Sequence, residues 1–150
     1  MAAPEIDIED LIKAALVAAL PDDFAVETVS MRMDMQSMLR TENSVLIRTA
    51  DVAIADISYQ NVGHTGNVTI RIMTEVYITS RDVRSWDSSR STVGIFEIAN
   101  IVRKTLSGLE PGTYFIGCIN FESQAAPQIE EPERIAWLVQ SYSSRCRIRQ

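Results

Sequence analysis

One histidine and two cysteines are all that the 150 residues offer for imidazole chemistry or thiolate ligation. Cys118 and Cys146 match no zinc spacing, and one histidine cannot complete a site with them. His64 sits in Gly63-His64-Thr65-Gly66, a turn between strands. A general base needs a partner that orients it; Asp56 is the nearby acid left open for that role, though nothing in the spacing points to it. The same turn lacks the Lys-Ser/Thr pair of a phosphate loop, and a strand pattern follows it where a helix would be needed. Glycine and proline are scarce, at six and five, and no repeat, low-complexity tract or linker divides the chain. One domain over residues 1–150 is the expectation. Long apolar runs are missing too. The longest, Ala14 to Leu20, falls far short of the roughly 20 residues that cross a bilayer. Met1 to Asp10 carries acids and no Lys or Arg, unlike a secretory signal. A soluble, cytosolically made protein with reduced thiols is expected.

Positive charge is the last shortage. Fourteen Lys and Arg face twenty Asp and Glu, a formal net charge of −6. That argues against general nucleic-acid binding, which draws on cationic surface to displace counterions. It is compatible with a surface that lets DNA pass without adhering.

What is present is a long alternation. From Asn67 to Thr79, Val68, Ile70, Ile72, Thr74, Val76 and Ile78 occupy one parity. Thr69, Arg71, Met73, Glu75, Tyr77 and Thr79 occupy the other. Period two over this length means one β-strand with a buried face and a wetter one, longer than the roughly 5–6 residues usual for strands. Around it, Pro4 to Leu20 reads as a helix with Ile8, Leu11, Ile12, Ala15, Leu16, Ala19 and Leu20 on one face. Asp7 is its expected N-cap, and Pro21 stops it. Phe24 to Ser30 reads as a short strand, and Ser44 to Arg48 as another. Asp51 to Ser58 alternates in an ambiguous register, as an edge strand or an extended loop.

Thr92 to Ser107 reads as a second helix closed by Gly108. Its core stripe is Ile95, Ile98, Ala99, Val102 and Leu106, followed by Leu109. Phe96 and Ile101 widen the apolar arc beyond what one sheet contact needs. Thr113 to Glu122 and Ile135 to Arg149 are strands, joined by a Ser123–Glu133 loop. Strands cluster and two main helices pack on them, so the fold expected is α+β with a mainly antiparallel or mixed sheet.

No side chain marks a catalytic, metal or cofactor site. Glu130, Glu131 and Glu133, beside two prolines, read as solvated acids. The candidates are contact residues. Trp86, with Arg84, lies in the polar Arg81–Ser91 loop and is the best exposed-aromatic anchor. Met33 belongs to a cluster with Met31, Met35 and Met38, either adaptable core or a deformable contact surface. Phe96 and Ile101 flank the helix stripe. Arg145, Arg147 and Arg149 share one strand face, suited to a neighbour's carboxylates, to phosphate or to solvent.

In order and length the chain resembles the tail-terminator (tail-completion) proteins of tailed bacteriophages, especially the Mu-like contractile-tail group. The likeness rests on Leu20-Pro21-Asp22 ending the first helix, the Val45-Leu46-Ile47 strand, and Val76-Tyr77-Ile78-Thr79 before the break at Arg81-Asp82. It continues through the helix from Gly94-Ile95-Phe96-Glu97-Ile98-Ala99 to Leu106-Ser107-Gly108 and the closing pair of strands. It implies a non-enzymatic structural protein without cofactors: a homohexameric ring at the head-proximal end of the tail tube, at the head–tail junction of the virion and assembled in the host cytoplasm. The implied partners are further copies, the tail tube protein, the sheath protein and the head connector, with DNA passing through the hole. Another neck, head-completion or tube-like virion protein is the nearest alternative, and a small ligand-binding or enzymatic domain the more distant one.

Overall fold

The computed structural model describes residues 3–22, 24–28, 43–59, 66–80, 95–112, 114–130 and 135–149. Its elements are α1 (Pro4–Ala19), β1 (Ala25–Thr28), β2 (Ser44–Tyr59), β3 (Gly66–Ser80), α2 (Ile95–Leu106), β4 (Phe115–Gln124), β5 (Gln128–Glu130) and β6 (Ile135–Arg149). One sheet takes every strand, in the order β1-β2-β3-β6-β4, with β5 also against β6. β1 runs parallel to β2, and the other pairings are antiparallel. The fold is α+β, with a mixed sheet and two helices among the described residues.

β3 is the long alternating strand. Val68, Ile70, Ile72, Thr74, Val76 and Ile78 are all buried. At about 3.3 Å per residue, its 15 residues reach roughly 50 Å. The 16 residues of α1 reach only about 24 Å, so a helix of that length leaves part of the sheet open. Ile8, Ile12 and Leu16 of α1, and Ile95, Ile98, Val102 and Leu106 of α2, seal the core against β3 and the inward residues of β6.

Several boundaries differ from the sequence reading. Asp7 is not the helix cap. Pro4 occupies the first turn, Ala3 stands at the N-cap, and no side chain caps the helix. Proline's preset φ starts the helix early and removes one orphan N–H. Ser44–Arg48 and Asp51–Ser58 are one continuous strand. Its pairing with β3 slips between Thr49 and Asp51 and again between Ile54 and Asp56. Each slip inserts a residue, Ala50 then Ala55, and reverses which parity faces inward. Val45 and Ile47 therefore stand on the helix side of the sheet with odd numbers, and Val52 and Ile54 with even ones, beyond the covered core. The expected Ser123–Glu133 loop contains β5 and the end of β4. Ala125 N–H donates to Val139 O at 2.9 Å, so β4 and β5 follow one another along the same edge of β6. Gly108 ends α2 as expected, at φ +82, a left-handed conformation that glycine adopts without penalty.

Candidate functional site

Residues directly opposite in a sheet share a face, so the register defines the surface that the helices leave open. Its rows run across β2, β3, β6 and β4. Arg48 stands opposite Glu75, and Glu75 opposite Ser141. Ala53, Arg71, Arg145 and Ile116 form another row. Thr69 is opposite Arg147, and Asn67 opposite Arg149.

The upper part of this face is tied together. Arg48 donates from Nε (2.9 Å) and Nη2 (2.7 Å) to Glu75 Oε1, and the Tyr77 hydroxyl donates to the same oxygen at 3.0 Å. The guanidinium also lies over the Tyr77 ring, 5.3 Å from its centroid, a cation–π arrangement. Hydrogen bonding to Glu75 raises the Arg48 pKa. Burial, then the Glu75 charge, pushes the Tyr77 phenol up to about 12. Leu46, Tyr77, Trp137 and Val139 form a small apolar cluster beside this network.

The lower part is cationic. Arg71, Arg145 and Arg147 are exposed, and the ion pair present among the described residues is Arg48–Glu75, not one of theirs. Arg71 and Arg145 face each other directly, an arrangement that destabilises a sheet in isolation. Of the described acids on this face, Asp51 of β2 stands opposite Met73. Glu122 of β4 accepts a hydrogen bond from Ser143.

The structure thus unites Arg145 and Arg147 with Arg71 and Ile116, which the sequence reading did not single out as contact residues. Arg149 continues the series by register, although its side chain lies outside the described residues. Phe96, in the first turn of α2, is 46% exposed. Ile101 is half-buried against the core. Trp86, Arg84 and Met33 lie outside the described residues, as do His64, Glu131 and Glu133. Glu130 is in β5. Both cysteines are free, Cys118 half-buried and Cys146 buried. Burial, with the Glu5 charge second, raises the Cys146 thiol to about 11.

A second opening is the outer edge of β2. β1 pairs only with Ser44 to Ile47, and the Thr49 N–H donates to Glu9 Oε1 at 2.9 Å. From Ala50 to Tyr59 no strand pairs with that edge among the described residues. Val52 and Ile54 beside it are 41% and 64% exposed.

The chain matches no protein-family model and no curated protein sequence. Among solved structures it is similar to a chain of one described as "Virion of native gene transfer agent (GTA) particle", at 11% identity and a TM-score of 0.46, over 96% of this chain and 92% of that one. A likeness that shallow assigns neither family nor function.

Proposed function

We propose that this is a non-enzymatic structural protein of a tailed-phage particle. It forms a homohexameric ring on the head-proximal end of the tail tube, ends growth of tube and sheath, and offers the joining surface to the head connector. DNA passes through the hole of the ring. The sequence resemblance supports this reading. The observation that carries it is the outer edge of β2 from Ala50 onward, unpaired among the described residues and flanked by exposed Val52 and Ile54. Such an edge is a template for another chain and is normally blunted in a protein that stays alone. In this reading Trp86 and Arg84 anchor contacts to a neighbour, with Met33 and Phe96 as further contact residues.

Electron microscopy of the purified protein, alone and mixed with tail tubes, tests the reading. Six-fold rings, free or at one tube end, are the expected result. A protein that stays monomeric at high concentration and caps no tube overturns it. Trp86→Ala is expected to leave the monomer's melting temperature nearly unchanged and to weaken ring formation.

A further inference from the structure

The cationic half of the open face has a counterpart on the other side of the same sheet. Within the first turns of α1 stand Glu5, Asp7, Glu9 and Asp10. Two of them are used internally. Asp7 accepts the Tyr114 hydroxyl, and Glu9 accepts the N–H and hydroxyl of Thr49. That leaves the half-buried Glu5, whose charge also reaches the Cys146 thiol, and the exposed Asp10 around Ile6, which is 50% exposed. Lys13 is the one cation within the next turn.

Tyr114 precedes Phe115, whose partner in β6 is Cys146, between Arg145 and Arg147. The acidic turn therefore lies behind the arginines at the same level of the sheet. Each patch is built alike: an exposed isoleucine, Ile6 or Ile116 (39% exposed), beside charges of one sign. The signs are opposite.

We propose that the Arg71, Arg145, Arg147 and Ile116 surface of one copy docks the Glu5, Ile6 and Asp10 surface of the next. Charge complementarity names the occupant. An acidic chain carries its own anionic partner surface, and the match includes an apolar centre that a phosphate backbone would not need. The two patches lie on opposite sides of the sheet, so one two-fold axis cannot satisfy both at a single interface. A head-to-tail contact can, and when its rotation closes it makes a ring. The Arg71–Arg145 repulsion, which no ion pair offsets among the described residues, is relieved in that contact. The inference rests on the ring reading and adds which surfaces meet.

Two full-length variants test it: Arg71→Glu with Arg145→Glu, and Glu5→Arg with Asp10→Arg. None of these side chains is in the core, and thermal melts check that both variants fold. Each variant alone is expected to need roughly tenfold or more higher concentration to assemble, because like charges then meet. An equimolar mixture restores rings with the two variants alternating, which a six-membered ring permits. Added salt weakens wild-type assembly. Wild-type rings together with variants that assemble normally alone, or with a mixture that fails to recover, overturn the contact but not the ring. Loss of DNA retention with rings intact places the arginines on nucleic acid and also overturns it. A wild type that never associates, in solution or on tubes, fails the ring reading first.

Discussion

The two faces of β3 put their residues to different ends. On the helix side burial is uniform from Val68 to Ile78. On the other side it is graded: Tyr77 and Thr79 are buried, Glu75 is half-buried within its network, and Arg71 is exposed. Uniform burial is what a core requires, because any gap loses contacts on all sides. A gradient over about 26 Å from Thr79 to Arg71, by the strand rise, means that the open face does more than shed water. One end is stiffened by hydrogen bonds and the other holds charge in reserve. Substitutions that separate folding from assembly should follow this division.

The largest effect belongs to the helix side. Ile72 is fully buried at the middle of β3. Ile72→Ala should cost about 2–5 kcal/mol, from lost transfer energy and the cavity left behind. Urea denaturation measures it. A loss below about 1 kcal/mol would mean that this core collapses around gaps and is not close-packed. Next comes Gln140, a fully buried amide on the same side. Its Nε2 donates to Ala99 O (2.9 Å) and Gln124 Oε1 (2.8 Å), and its Oε1 accepts the Tyr142 hydroxyl (2.6 Å). It joins α2, β4 and β6. Gln140→Leu should cost about 1–3 kcal/mol by orphaning the Tyr142 hydroxyl. Tyr142→Phe in the same background should then recover part of the loss.

These sites also show what the sequence could disclose. β3 was legible residue by residue because its alternation is unbroken. β2 was not: the bulges at Ala50 and Ala55 reverse the parity twice, so Val52 and Ile54 stand on the helix side with even numbers where Val45 and Ile47 stand there with odd ones. β5 escaped because three residues after Pro127 carry too little pattern. Asp7 looked like a cap because acids favour that place, yet Pro4 starts the helix first and frees Asp7 for Tyr114. The Arg145–Arg147 stripe was visible in its spacing. Its partners Arg71 and Ile116 were not, since only the register of β6 against β3 and β4 brings them alongside.

Alkaline pH probes both faces with one variable. The Tyr77 phenol on the open face is raised from 10.0 to about 12 by burial and then by Glu75. Tyr114 on the helix side is raised to about 12 by burial and then by its bond to Asp7. Tyr142 is raised further, chiefly by burial. A phenol with a raised pKa keeps its proton in the folded state after the unfolded chain has released it. Its stabilisation is complete below the unfolded value near 10 and is lost as pH rises through about 12. The urea midpoint should therefore fall between those values. Tyr77→Phe should make the fall shallower, and an unchanged slope would show that Tyr77 ionises as readily folded as unfolded. Smaller still is Arg48→Ala, which removes a part-exposed ion pair and should cost at most about 1 kcal/mol.

The smallest effect has the opposite sign. Arg145 is exposed, directly opposite Arg71, and Arg147 follows on the same strand face. Replacing Arg145 with Ser removes a like-charge neighbour and takes nothing from the core. A cross-strand pair is worth roughly 0.2–1 kcal/mol in either direction. The isolated monomer should thus be unchanged or gain a few tenths of a kcal/mol, read as a small rise in the urea midpoint with an unaltered slope. Raising the salt concentration should shrink the gain, because exposed charges are screened over about 10 Å at 0.1 M. A loss greater than about 1 kcal/mol would mean that the guanidinium is held within its own subunit, and the two faces would then both be folding surfaces.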